Sequence, residues 1–265
     1  MLPEPIPLPP DLTGAVTEVW ALDMPRAHAS EQVLPMPATE IIVNLAEPYR
    51  VHDESGSWPT PGVFRTGLRR AVVRFDNPPV LRHVAVRLPA YGPARLGLDP
   101  TDTVGTVRGA LGDDLAGVAA SAADPGEAAR TVVEVLRAHL VPETPEVRTV
   151  RVATDALRAD PARSIASLAD EAGVTHKTLI ARFRRVTGST PSHLARLSAV
   201  DAVVRAIPTE GEVPSWTALI ADSPFVDQSH FIRSFRQLVG LTPREYRDAL
   251  VRSRYDDPRF LDGGG

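Results

Sequence analysis

From Val16 to Leu88 the apolar residues fall into short runs: Val16–Ala21, Glu40–Leu45, Ala71–Phe75 and Val80–Leu88. Turn formers part them at Pro35, Pro37, Pro48, Pro59, Pro61, Gly62, Asn77, Pro78 and Pro79. Short runs between breakers predict an antiparallel sheet or small barrel rather than strand–helix–strand units. The pattern then changes. Ala110–Ala123 and Glu127–Leu140 are rich in alanine and leucine at helical spacing, with Ala128, Val132, Val135, Leu136 and Leu140 on one stripe. Pro142 and Pro145 end that helix, and Thr144-Pro145 supplies the N-cap and first-turn proline of the next. Beyond it the chain reads as helices with short connections. The expected fold class is α+β. A mainly antiparallel, barrel-like β domain with helices covers 1–142, β-rich to about 88 and helical over 91–140. An all-α domain with its own capping pattern covers 143–255. Residues 256–265 end in Gly263-Gly264-Gly265 and are expected to be a disordered tail.

The helical part contains a degenerate repeat. Phe183, Gly188, Thr190 and Pro191 match Phe235, Gly240, Thr242 and Pro243 at a constant offset of 52. Leu168 and Val174 match Leu219 and Phe225 at an offset of 51, so the second turn holds one extra residue. Each copy has the grammar of a helix-turn-helix. In the first, Ser164 caps a helix with Ile165, Leu168 and Ala169 inward, Gly173 makes the turn, and Thr175 caps a second helix with Leu179 and Phe183 inward. Positions 177, 180, 181 and 184 then face outward, as a recognition helix requires. In the second, Ser215 caps a helix carrying Trp216, Leu219 and Ile220. Asp227 caps the next, with Phe231 and Phe235 inward and Ser229, Ile232, Arg233 and Arg236 outward. Thr242-Pro243-Arg244-Glu245 is a capping box that opens a final helix.

The net charge of −4 argues at first against a nucleic-acid partner, but its distribution does not. Residues 161–265 carry 14 basic and 12 acidic side chains, and Thr175–Arg196 holds Lys177, Arg182, Arg184, Arg185 and Arg196 with no acid. A local basic stripe governs phosphate contact more than the total does. The chain has no cysteine, which excludes disulfides, thiolate nucleophiles and cysteine-based zinc sites. No apolar run reaches the roughly 18–20 residues of a membrane helix, and the N-terminus lacks the features of a signal peptide. No membrane role and a cytoplasmic location are the expectations. His28, His52 and His83 are far apart in the chain, and no H-x-H, H-E-x-x-H, G-x-S-x-G or phosphate-binding glycine loop occurs. No catalytic residue, metal or cofactor is therefore assigned, and the chain is not expected to be an enzyme.

Residues 146–250 resemble the DNA-binding domain of AraC/XylS-type transcription regulators. The likeness rests on Asp227-Gln228-Ser229-His230-Phe231, Arg233, Phe235, Gly240, Thr242-Pro243 and Tyr246-Arg247. In the first unit it rests on Ile165, Leu168-Ala169, Ala172-Gly173-Val174, Leu179, Phe183, Gly188 and Thr190-Pro191. The resemblance implies seven helices, two of them recognition helices, joined by a long linker helix over Pro191–Ile207. More weakly, Val19–Leu22, Glu40–Leu45 and His83–Leu88 resemble the sensor domains of some such regulators, which makes 1–142 a sensor or dimerisation domain. Three departures stand out. Pro224 replaces the usual turn glycine, Ile180 and Ala181 replace polar residues of the first recognition helix, and Ala199 replaces a linker arginine. Apolar side chains touch a thymine methyl but cannot hydrogen-bond a base edge, so the first unit is expected to read weakly or to prefer A/T-rich DNA.

The expected partner is double-stranded DNA. Lys177, Arg184, Gln228, Ser229, Arg233 and Arg236 would read bases, with Ile180, Ala181 and Ile232 beside them. Arg182, Arg185, Arg196, Thr175, His176 and His230 would contact phosphates or shape the helix starts. A small-molecule effector in the N-terminal domain, a second copy of the chain and RNA polymerase are further candidate partners. Two rival readings are a barrel-type enzyme with a helical appendage and a helical protein-interaction module.

Overall fold

The computed structural model describes residues 5–53, 56–101, 103–207, 225, 228–253 and 257–263. The N-terminal half forms two five-stranded antiparallel sheets. Its strands are β1 (Glu18–Pro25), β2 (Ser30–Val33), β3 (Ala38–Asn44), β4 (Arg50–Asp53), β5 (Gly56–Pro59), β6 (Val63–Thr66), β7 (Val73–Asp76), β8 (Val80–Pro89) and β9 (Val104–Thr106). One sheet runs β1-β8-β3-β6-β9. The other runs β2-β7-β4-β5, and a tenth strand, β10 (Phe260–Asp262), lies against β2. The sheets share no ladder, so the expected barrel is an open pair rather than a closed cylinder.

The two-residue period of a strand explains how the first sheet serves two cores. Along β3, Ile41 and Val43 point to one face, where they join Val19, Val84 and Val86. That face is covered by α2 (Gly109–Ser121) and α3 (Pro125–Ala138) through Leu111, Leu115, Val132 and Leu136. Ile42 points the other way, into a cluster with Tyr49, Val51, Phe64, Val73 and Phe75 that fills the space between the sheets. Tyr49 packs edge-on to Phe64 and Phe75, with centroids 6.2 and 6.4 Å away, and its hydroxyl meets His83 Nδ1 at 2.7 Å. Burial pushes the His83 imidazole down to about 4, so the ring is neutral where it shares a hydrogen bond with the tyrosine hydroxyl. On the same sheet Arg87 lies directly across from both Glu18 and Glu40 and bridges them, with its guanidinium 4.8 Å from the Trp20 ring centre. This cross-strand charge pairing fixes register.

The helices expected in residues 91–140 are present, preceded by a short α1 (Gly92–Arg95). The strand β9 between them was not foreseen; at three residues it is too short to show a period. The helical half contains α4 (Pro145–Ala159), α5 (Ile165–Glu171), α6 (His176–Thr187), α7 (Pro191–Arg205), α8 (Gln228–Val239) and α9 (Pro243–Ser253). These are six of the seven helices implied by the resemblance. The helix expected from Ser215, with Trp216, Leu219 and Ile220, lies outside the described residues, as do Pro224 and Asp227.

The halves share a core. Leu34, Leu68, Ala90 and Tyr91 belong to the same apolar cluster as Val150, Leu157, Leu179, Phe183, Leu194 and Phe235. Arg69, 3% exposed, donates to the carbonyls of Val33 and Leu34 at 2.9 and 2.8 Å. Its own carbonyl accepts from His193 Nε2 of α7 at 3.2 Å. The tail is also ordered: residues 257–263 return to the β region instead of fraying, because Leu261 is buried and β2 offers an open edge.

The His193 contact generates a pH dependence. The ring is 6% exposed, and burial first, then Arg70 and Arg196, hold its pKa below the ordinary histidine value. The folded state therefore favours neutral His193, while the unfolded chain protonates it below about pH 6.5. Its contribution is full above that pH and is lost as pH falls toward the depressed folded value, at no more than about 1.4 kcal/mol per pH unit. Denaturant melts between pH 7.5 and 5 should show this slope added to that of buried His83, and His193→Gln, which keeps a donor, should remove the His193 share alone.

Candidate nucleic-acid interface

Local sequence builds the first unit as expected. Ser164 caps α5 by accepting from Ser167 N–H, and Thr175 caps α6 by accepting from Thr178 N–H. Gly173 turns the chain between them at φ +64°. Arg163 and Ser167 both engage the Glu171 carboxylate, tying the start of α5 to its end. Gly188 ends α6 in the left-handed conformation at φ +71°, and Thr190-Pro191 opens α7. The second unit repeats this. Helices α6 and α8 are each 12 residues long and their ends differ by the repeat offset. Gly240 matches Gly188 with φ +77°. The capping box of α9 is complete: Thr242 N–H donates to Glu245 Oε2 at 2.7 Å, and Glu245 N–H donates to Thr242 Oγ1 at 3.3 Å.

The inward positions are buried in both helices. Leu179, Phe183, Phe231 and Phe235 are all 0% exposed. In the second unit they form an aromatic stack, Phe225–Phe231–Phe235–Tyr246, with successive centroids 5.1, 5.4 and 5.2 Å apart. Such pairs add roughly 0.5–1.5 kcal/mol each beyond area burial. This core fixes the rotation of α8 about its axis and hence what it shows to solvent.

The outward positions are accordingly accessible. Thr175, His176, Lys177, Ala181 and Arg184 are exposed on the first unit, and Ile180 is half-buried. Gln228, Ser229, His230, Ile232, Arg233 and Arg236 are exposed on the second. His230 packs edge-on to Phe225, with centroids 5.5 Å apart. Lys177, Arg184, Arg233 and Arg236 form no ion pair with the described residues, so four cations project from the two helices. The three arginines expected to hold phosphates are engaged within the protein. Arg182 donates to Thr149 Oγ1 at 2.9 Å, Arg185 pairs with Glu146 at 2.8 Å, and Arg196 donates to Gln237 Oε1 at 2.7 Å. The first two brace α6 against α4, and the third ties α7 to α8. Arg185 is 70% exposed, and an exposed pair of this kind is worth about 0–1 kcal/mol, so a phosphate can replace Glu146 at little cost.

The departures at Ile180, Ala181 and Ala199 acquire a setting. Ala199 is 4% exposed, so a larger side chain there would have to displace its neighbours. Sequence reasoning missed the brace from α4 and the junction of Arg69 with His193. Neither has a local signal, since the partners lie 33 and 124 residues apart.

The three sheet histidines do not converge. His52 meets Asp76 at 2.6 Å, His28 lies 3.6 Å from Asp262, and His83 meets Tyr49. Among the described residues no cluster has the make-up to hold a metal ion, and no helix is long and apolar enough to cross a membrane. A cavity of about 170 Å³ opens where the first sheet meets α4, α7 and the tail, lined by Thr17, Met36, Arg87, Arg158, Ser198, Asp201, Arg205 and Arg259 among others. The Ser198 hydroxyl there is buried with no partner, and burial raises the Asp201 carboxyl above its ordinary pKa.

Comparison with known proteins agrees with this geometry. A family model described as a helix-turn-helix domain matches residues 168–249. No curated protein matches the chain. Among solved structures, ToxT from Vibrio cholerae O395 bound to (E)-4-(8-methylnaphthalen-1-yl)but-3-enoic acid is 11% identical, with a TM-score of 0.50 over 88% of this chain and 99% of that one. Wild-type ToxT from Vibrio cholerae strain SCE256 with an unsaturated fatty acid bound is 12% identical, with a TM-score of 0.47 over 86% of this chain and 93% of that one. The AraC-like transcriptional activator CuxR is 12% identical, with a TM-score of 0.26 over 72% and 88% of the two chains. At such identities the structural likeness concerns the fold, and the family rests on the matched segment and its motifs. Residues 168–249 thus carry an AraC-type helix-turn-helix domain, on which the family model and the motifs of both units agree.

Proposed function

We propose that the chain is a sequence-specific, effector-responsive regulator that lays α6 and α8 into adjacent major-groove segments on one face of a duplex, with residues 143–255 as the reading domain. The observation that carries this is the pair of matched helices, each anchored by buried apolar residues and each presenting two cations with no ion pair among the described residues. Lys177, Arg184, Arg233 and Arg236 suit guanine, and Gln228 suits adenine. Ser229 adds a hydroxyl contact. Ile180, Ala181 and Ile232 suit thymine methyls. Arg182, Arg185 and Arg196 shift from their internal partners to phosphates, and Thr175, His176 and His230 serve the helix starts.

An effector fits the same reading at the cavity beside α7, because the space between the sheets is filled by Tyr49, Phe64 and Phe75. The fold neighbour ToxT, solved with a carboxylic acid bound, supports an effector for this chain. The action is binding, in the cytoplasm, with no cofactor.

The test is a mobility shift of the full chain with pooled random duplexes, followed by sequencing of the retained pool. Enrichment of a bipartite site is the expected result, and retention without enrichment would remove the sequence-specific claim. Arginine–phosphate contacts release counterions, so affinity should fall with salt at a log–log slope of about −4 to −5 for five such contacts. A slope near zero would make the basic stripe a solvated face only.

Arg233→Ala and Phe235→Ala should fail in opposite ways. Arg233 is exposed and away from caps and core, so its loss should change stability by no more than about 0.5 kcal/mol. It should nonetheless lose about 1–3 kcal/mol of specific binding and relax preference at one base pair. Phe235 is fully buried against Phe231 and Tyr246, and its truncation should cost roughly 3–5 kcal/mol of stability. Thermal melts and binding isotherms on both variants check this, and wild-type affinity in Arg233→Ala takes that residue out of the interface.

A further inference from the structure

Residues 257–263 form a strap from the second helix-turn-helix unit back to the β half. At the helical end, the Tyr246 hydroxyl of α9 donates to the Pro258 carbonyl, and Asp262 N–H donates to Ser253 Oγ at 2.7 Å. At the sheet end, Leu34 N–H donates to the Arg259 carbonyl at 3.0 Å and Gly263 N–H to the Ser30 carbonyl at 2.9 Å. Between them β10 pairs Phe260 with Val33, Leu261 with Gln32 and Asp262 with Glu31. Leu261 is buried in the shared core. Gly263 passes so close to β2 that a Cβ on it would stand 2.4 Å from Ser30 Oγ and 2.9 Å from the Glu31 nitrogen.

The tie is built to be weak. The ladder is three residues long and sits on a sheet edge. It also sets the carboxylates of Glu31 and Asp262 directly across from each other, and like charges so placed oppose pairing. His28 lies 3.6 Å from the Asp262 carboxylate, whose side chain is 42% exposed. Short ladders on a sheet edge are among the contacts that open by local unfolding, and here Leu261 is the one large apolar side chain of β10 that is fully buried. The β half has other holds on the helices, through His193 of the linker α7 and through Gly188 of the first unit near Pro100.

We propose that this strap is a releasable latch on the second unit. Closed, it holds α9, and with it α8, in the frame of the N-terminal sheet. Open, it lets that unit turn to meet a second groove segment, whose spacing is fixed by the duplex at about 34 Å per turn. The latch rests on the reading of α8 as a recognition helix.

The register supplies the experiment. Because Arg259 with Leu34 and Gly263 with Ser30 are hydrogen-bonded pairs, Asp262 with Glu31 is a non-bonded pair, whose Cα atoms lie roughly 4.5 Å apart and within disulfide range. The chain has no cysteine of its own, so E31C/D262C can form only that bridge within one chain. The probe is a duplex selected from a random pool by the wild-type full chain. Oxidised E31C/D262C should bind it at least tenfold more weakly than the same protein reduced. Gly263→Val, which forces the strap off β2, should bind as tightly as wild type or more so, with an unchanged helical circular dichroism spectrum. Equal affinity in the oxidised and reduced forms, or tighter binding when oxidised, overturns the latch while leaving DNA binding intact. If no form, wild type included, binds any duplex, the DNA reading itself falls and the latch with it.

Discussion

The burial of α7 on nearly every side is the constraint on which the rest depends. Leu194, Leu197, Val200, Val203 and Val204 are all within 4% of full burial, and Ala199 joins them. A helix with so wide an apolar face must lie largely inside a protein, and only Ser192, Ala202 and Arg205 of α7 are exposed. This linker therefore receives the first unit on one side, α8 on another, and the β half through His193 and Arg69. The two helix-turn-helix units are held apart by a buried rod rather than by a solvated spacer. Any change in how the β half grips that rod reaches both units.

Much of this was legible in the chain, and the legible parts share a physical cause. Leu179 with Phe183 and Phe231 with Phe235 announced their helices because four-residue spacing is a local signal, and each pair sits between a capping Thr175 or Asp227 and a glycine followed by a proline. The strands β1, β3, β7 and β8 were visible for the same reason, since each carries a run of apolar residues bounded by breakers. The short strands β2, β4, β5, β6 and β9 were not, because each holds at most two apolar residues, whereas Ala71 and Val72 lengthen the run of β7. The tail misled most. Its three glycines read as fraying, yet Leu261 supplies a buried anchor and β2 supplies unpaired backbone, and neither fact is local to the tail.

The candidate interface divides the same way. Which faces of α6 and α8 meet solvent follows from which faces are apolar, so the outward arginines could be named from spacing. What those arginines touch could not. Arg182, Arg185 and Arg196 find Thr149, Glu146 and Gln237 across the fold, and periodicity says nothing about such meetings. The result is a surface with two kinds of cation: some already partnered within the protein, others with no ion pair among the described residues.

The paired glycines that end α6 and α8 differ in a way that bears on how the duplicated units can drift apart. Gly240 has the left-handed φ but no atom within 4 Å of where a Cβ would be. Asparagine, which tolerates that conformation, can stand there. Gly188 has the same φ, and a Cβ on it would press to 3.2 Å from Pro100. The first copy is held by two conditions and the second by one. A side chain at the same position therefore meets open space in one unit and a crowded neighbour in the other.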